Sequence, residues 1–217
     1  MSQSPSAEHL FQQISAGDIM GVGTQMESTP ELAESTNEYG ISPVMWALYH
    51  QQTAIAEIVY QHVKQPDVFH CAAMGDLDKL RQHIEDNKTL ITQCTPDGFT
   101  ALHFSCFFQR VDCALFLIEA GADVNAVTQN ENKLSPIHSA AAAQSFEIME
   151  ALLQFKADPD RQQQGGFTAL MSAASHNNIE LCELLIVHGA TKKLTDDNGH
   201  TAWDHGNEKG FDIPLLK

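Results

Sequence analysis

Eleven histidines, five cysteines and 28 carboxylate side chains give this 217-residue chain ample material for acid–base, nucleophilic or metal chemistry. They lack the spacing that such chemistry demands. His62, His70, His83, His176, His200 and His205 form no H-E-x-x-H or comparable pattern, so no native metal site is expected. Cys71, Cys94, Cys106, Cys113 and Cys182 are odd in number and contain no CxxC pair, which reads as reduced core thiols rather than a disulfide framework or a structural zinc site. A catalytic Ser or Cys needs a base and an orienting partner, and the sequence offers no such constellation. There is no P-loop and no G-x-G-x-x-G after a strand, and the "GVG" of Gly21 to Gly23 is far too short to stand in for one. Paired carboxylates such as Asp196 and Asp197 fall where solvated turn tips are expected. No catalytic residue, metal ligand or cofactor is therefore assigned.

The elements that would position any site follow from composition and pattern. Hydrophobic residues make up 43% of the chain and charged residues 18%, enough apolar surface to offset the entropy of folding. No apolar run approaches the roughly 18 residues needed to cross a bilayer, and Met1 to His9 lacks the basic-then-apolar order of a secretory signal, so a cytoplasmic location without membrane contact is expected. The formal net charge is −16 and no Lys or Arg precedes Lys64. Such a surface repels nucleic acid. It serves solubility or steers a basic protein partner.

Self-similarity is the strongest signal. "DGFTALHFSCFFQRVDCALFLIEAGADVNA", "NKLSPIHSAAAAQSFEIMEALLQFKADPDR" and "GGFTALMSAASHNNIELCELLIVHGATKKL" align, with Thr100, Ser135, Thr168 and Thr201 recurring about every 33 residues. Ser or Thr at each head can cap a helix, and Pro43 and Pro136 suit its first position. Small residues follow, Ala47, Ser105 with Cys106, Ala140 with Ala141 and Ala173 with Ala174, letting neighbouring helices approach. A second apolar helix comes next, carrying Leu117 and Ile118, Leu152 and Leu153, or Leu184 and Leu185. Gly121 and Gly189 end it, with Asn87 expected as the left-handed substitute and Lys156 breaking the rule.

These residues resemble the ankyrin repeat family, whose repeat runs roughly D-x-x-G-x-T-P-L-H-x-A-A, a helix, then G-A-D-V-N; "DGFTALH" and "AGADVNA" match it closely. The resemblance implies an all-α solenoid of stacked helix-turn-helix units with short β-hairpin-like loops. It implies that His103 and His138 hydrogen-bond between neighbouring repeats. The frame extends towards the N-terminus at a constant offset of 58, matching Phe11 with Phe69, Gly17 with Gly75 and Gly40 with Gly98. After a tail at 1–7, one domain at 8–217 is expected, with repeats at 8–41, 42–65, 66–99, 100–134, 135–167 and 168–200 and a truncated cap at 201–217. Heads fall at Glu8, Ser42, Pro66, Thr100, Ser135, Thr168 and Thr201. The interval from Ser42 to Pro66 is too short for a full helix pair and its loop, so a bend or narrowed spacing is expected there. Its second helix should run through His62 to Lys64 and stop before Pro66.

Proteins of this family usually bind through hairpin tips and the inner face of the first helices, which the frame places at Ile41, Trp46, Tyr49, Phe99, Phe104, Phe107, Phe108, Leu134, Phe167 and His176. An apolar patch on a surface that ought to be solvated suggests a docking site for a protein or peptide. Packing against the next hairpin is the competing account, favoured for Phe99 and Phe167 and evenly balanced for Tyr49 and Phe108. The expected function is a non-catalytic interaction module: adaptor, inhibitor or regulatory subunit. An enzyme on the same scaffold would need a deep pocket holding two titratable groups in hydrogen-bond reach, and a purely architectural, self-associating role is a third reading.

Overall fold

The computed structural model describes residues 6–217. Helices alternate along the chain as α1 (Ala7–Ala16), α2 (Ile19–Ser28), α3 (Pro43–Tyr49), α4 (Thr53–Tyr60), α5 (Val68–Met74), α6 (Leu77–Asp86), α7 (Ala101–Phe107), α8 (Val111–Glu119), α9 (Pro136–Ala142), α10 (Phe146–Gln154), α11 (Ala169–Ser175), α12 (Ile179–Val187) and α13 (Ala202–Glu208). Odd-numbered helices pack on odd and even on even, giving two parallel rows, and the chain is an all-helical solenoid. An isolated antiparallel bridge between Cys94 and Thr100 is the one trace of β pairing among the described residues.

The repeated heads do what their chemistry dictates. Ser42, Thr100, Thr168 and Thr201 cap α3, α7, α11 and α13 by accepting the amide of the residue three places on. The small residues that follow, including Ala47, Ser105, Cys106, Ala140, Ala141, Ala173 and Ala174, are buried between helices. Leu117, Ile118, Leu152 and Leu185 fill the seam with the even row; each fully buried aliphatic chain stabilises by roughly 1.5–3 kcal/mol. His103 and His138 bind each head to the segment that leads into the next repeat. Nδ1 of each accepts the backbone N–H of its own head, Thr100 at 3.2 Å and Ser135 at 3.1 Å, while Nε2 donates to the Leu134 and Arg161 carbonyls ahead of the next head at 3.2 and 2.9 Å.

Several local expectations shift. Residues 1–5 of the expected tail lie outside the described residues, but Ser6 caps α1 and Ala7 opens it, ahead of the expected head at Glu8. Asp67, not Pro66, caps α5, because its backbone is extended and its carboxylate accepts the amides of Phe69 and His70. α4 ends at Tyr60, well before Lys64, with Gln61 closing it. Asn87 has φ −146°, so it is not left-handed; it caps the following 3-10 turn at Lys88–Thr92 instead. Lys156 takes the left-handed position itself at φ 70°. Cys94 is exposed, whereas the other four thiols are buried.

The offset of 58 is structural. α2 and α6 are both ten residues long behind Asp18 and Asp76, and each is followed by a five-residue 3-10 turn, Pro30–Glu34 and Lys88–Thr92. Between these copies lies the irregularity. Backbone bonds string successive tips together: Gln129 N–H to Asp97 O, Gln164 N–H to Asn132 O and Asp197 N–H to Gly165 O, each 2.9 Å. The first tip, at 36–41, has no neighbour to join, because the short segment from Tyr60 to Asp67 carries no hairpin. The contact of α3 with α5 is accordingly sparse beside that of α5 with α7.

Candidate binding groove

The missing hairpin leaves a notch of about 730 Å³ between the tips at 36–41 and 95–97. Its floor is Met45, Phe69 and Phe104, its walls include Tyr39 and Tyr49, and its polar groups are Ser42, His70, Asp67 and Asp97. A second cleft of about 750 Å³ lies on the other side of the same tip, lined by Glu8, Phe11, Glu38, Tyr39 and Trp46. Thr36 and Tyr39 border both, so the first tip divides one groove in two. No lysine or arginine lines either cleft among the described residues.

Two aromatic chains run into the notch. Phe107, Phe108 and Tyr49 form one, with ring centroids 5.1 and 6.0 Å apart. Phe69, Phe104 and Phe99 form the other, at 5.9 and 5.6 Å. Tyr49 is 44% exposed and Phe107 48%, so both offer surface to a partner, whereas Phe104 is only 5% exposed and belongs chiefly to the core. Phe99 is half-buried against Phe104 and His103. Phe167 is half-buried with its ring against His205, and Leu134 is half-buried with its carbonyl taken by His103. Ile41 is half-buried at the base of the first tip, and Trp46 donates its indole N–H to Ser15 Oγ at 2.9 Å while facing the second cleft. His176 is exposed far along the stack, at the end of α11. The ten expected positions therefore do not form one patch. Tyr49, Phe107 and Phe108 come together, and Tyr39, Phe69, Asp67 and Asp97 join Tyr49 at the notch unforeseen. Tyr39, 72% exposed, could have been suspected from an aromatic at a tip otherwise built of Asn37, Glu38 and Gly40.

Electrostatics at the notch favour anionic oxygen. Burial works against Asp67, but the hydrogen bond and charge of His70, with two backbone amides, hold its carboxyl below the usual carboxylate value. Partial burial and the nearby Asp97 charge push the Tyr49 phenol up to about 12, so it stays a neutral donor.

Ser42, His70 and Asp67 also form a linked chain, with Ser42 Oγ 2.7 Å from His70 Nε2 and His70 Nδ1 2.8 Å from Asp67 Oδ1. This is the order of a nucleophile, base and orienting acid. Two features argue against catalysis. Pro43 follows Ser42 and has no N–H for an oxyanion hole, and the amide of Met45 is spent on Ser42 Oγ itself at 3.3 Å. The chain is the head-to-histidine bond of a repeat, with His70 Nε2 turned back to the preceding head, Ser42, across the place where other repeats carry a hairpin.

The other histidines sort by place. His50, His62, His176 and His188 bond through Nδ1 to the carbonyl four residues back, near helix C-termini, at 2.8 to 2.9 Å. His83 bonds the Pro66 carbonyl at 2.8 Å. Near the C-terminus the fold gathers what the spacing hid: Asp196, His200 and His205, whose ligating atoms all lie within 4.8 Å of one another. Burial pushes the Cys71 and Cys182 thiols up to about 11 and Cys113 to about 12, away from nucleophilic form.

A model of ankyrin repeats in three copies matches residues 32–128, 68–163 and 126–198. The chain belongs to the ankyrin repeat family. The match begins at 32, and the helix pair before it is tied to the array by the geometry α2 shares with α6. Among similar proteins, a putative ankyrin repeat protein of Acanthamoeba polyphaga mimivirus is 26% identical over 156 residues, covering 68% of this chain and 20% of that protein. Transient receptor potential cation channel subfamily A member 1 of Homo sapiens is 28% identical over 152 residues, 67% of this chain and 13% of the channel subunit. Inversin of Gallus gallus is 31% identical over 136 residues, 61% and 12% respectively. The chain thus spans a fifth or less of each of these relatives. Ankyrin repeats are in general protein-interaction modules, and members of the family are typically not catalysts. No helix among the described residues is long and apolar enough to cross a membrane.

Proposed function

We propose that this ankyrin array is a non-catalytic module that binds an extended, basic segment of another protein across the inner face, with the segment seated in the notch. The supporting observation is the juxtaposition there of exposed Tyr39 and Tyr49 with Asp67 and Asp97 in a space that a hairpin occupies between other repeats. Aromatic faces supply contact area and attract cations, and no lysine or arginine lines the notch to neutralise Asp97. The cation-free stretch before Lys64 extends the negative field and speeds encounter with a basic partner.

The test is selection of binders from a random peptide library. Enriched sequences should carry Lys or Arg flanked by apolar residues and bind more weakly as salt rises. The Tyr39→Ser/Tyr49→Ser double variant should lose at least about 1 kcal/mol. Enriched peptides that bind this variant unchanged would remove the notch as the site.

The Ser42–His70–Asp67 chain favours a second reading, a hydrolase, which a fluorophosphonate probe decides. We expect no labelling. Labelling at Ser42 that disappears in the His70→Phe variant would replace the binding reading by a catalytic one.

A further inference from the structure

The last repeat departs from the others at three places that the fold always brings together. Four residues after the head, one before it and five before it, the repeat headed by Thr100 carries Phe104, Phe99 and Thr95, and the repeat headed by Ser42 carries Trp46, Ile41 and Asn37. Phe99 and Phe104 stack at 5.6 Å, and the rings at the same two places of the last repeat, His200 and His205, stand 5.7 Å apart. In the repeat headed by Thr201 the three places hold His205, His200 and Asp196. Only there does the shared geometry bring two imidazoles and a carboxylate to one point.

We propose that Asp196, His200 and His205 bind a zinc-class divalent cation that pins the last hairpin to α13. Asp196 is prearranged for it. Its Oδ1 accepts the amides of Asn198 and His200 at 2.9 and 2.8 Å, which fixes the carboxylate and leaves Oδ2 facing His205 Nε2 at 3.1 Å. Those backbone bonds first, and His205 after them, hold the carboxyl below the usual value, in the ionised form a cation requires. The His205 ring is steered by the edge of Phe167, 4.9 Å away. His200 makes no side-chain hydrogen bond among the described residues; its Nδ1 reaches Glu208 Oε1 only at 3.6 Å, and it is free to turn inward. Ligands at about 2.0–2.2 Å from a tetrahedral ion stand about 3.4 Å apart, so the pair at 3.1 Å is already in place and a turn of His200 completes the three. Glu208 or water takes the fourth position. Two imidazoles with one carboxylate suit zinc and its first-row neighbours, not magnesium or calcium. The location has a physical use, because among the described residues α13 is backed by the 3-10 turn Pro214–Leu216 where other odd-numbered helices have an even-row helix.

Zinc chloride titrated into the metal-stripped full chain, followed by calorimetry and thermal unfolding, is the experiment. Saturable one-to-one heat and a raised Tm are expected, with no effect of magnesium. Asp196→Asn should weaken binding at least about tenfold; it preserves the turn, since Asn37 accepts the amides of Tyr39 and Ile41 in the same way in the first hairpin. His200→Phe, which copies Phe99, should abolish the saturable heat with circular dichroism unchanged. Cobalt in place of zinc should give visible absorption of a tetrahedral site. The proposal is overturned if the wild type shows no zinc-dependent heat or Tm shift, if both variants retain them, or if magnesium reproduces them.

Discussion

His103 is fully buried, and desolvation lowers its pKa to about 4. The two bonds it makes demand the neutral ring, with Nδ1 accepting from Thr100 and Nε2 donating to Leu134. In the unfolded chain the same ring takes up a proton near pH 6.5. Between those values the unfolded state binds more protons than the folded one, so stability is full above about pH 6.5 and is lost as pH falls towards 4. The loss from His103 is on the order of 3 kcal/mol, and His138, lowered for the same reason, adds in the same direction. Carboxyls held low, such as Asp67 and Asp76, stay ionised through this window and withdraw their contribution only below 3.8. Urea midpoints measured from pH 7.5 to 4 should fall for the wild type and fall less steeply for His103→Met, a change that copies Met171 at the same place in a later repeat. Parallel slopes would show that His103 is not the titrating group. This role was legible from the Leu-His motif. That of His70 was not, because its Nε2 turns back to Ser42 across the place where other repeats carry a hairpin.

At the scale of elements, what repeats was legible and what departs from the repeat was not. Heads, small residues and apolar stripes are set by local chemistry, so Ser42, Thr100, Thr168 and Thr201 could be placed as caps from sequence alone. Boundaries failed where a residue has two possible jobs. Asn87 could end α6 left-handed or cap the next turn, and the 3-10 turn at Lys88–Thr92 decides for the second. The offset of 58 from Glu8 places a head at Pro66, yet Asp67 beside it is the cap. Lys156 stands at φ 70°, where Gly121 and Gly189 stand in other repeats. A left-handed non-glycine residue costs about 1–2 kcal/mol, while glycine adds roughly 0.5–1 kcal/mol of unfolded-state entropy, so the conformational strain outweighs the entropy. Lys156→Gly should therefore stabilise the protein by about 0.5–1 kcal/mol in urea unfolding. A loss of stability would mean that the lysine side chain contributes a contact larger than its strain.

Across the whole molecule, stability in a stack is a sum of unit and interface terms, and one interface here is thin. Among the described residues no tip-to-tip bond spans the notch and α3 barely meets α5, while polar contacts there include Ser42 Oγ to His70 Nε2 at 2.7 Å and Tyr60 OH to Asp76 Oδ2 at 2.8 Å. The helices α1 to α4 should consequently open as a unit before α7 to α13, with less hydrogen-exchange protection and an earlier urea transition. The same gap that weakens the joint makes the notch, so one change tests both. Grafting a copy of the turn from Thr95 to Phe99 between Lys64 and Pro66 supplies the missing tip. If a hairpin there can bond to its neighbours as Gln129 does to Asp97, the two unfolding transitions should merge into one, and peptides selected on the wild type should no longer bind because their seat is filled. Merged unfolding with peptide binding intact would place the partner elsewhere on the inner face. Lost binding with the two transitions still separate would show that the notch is the seat while the weak joint has another origin.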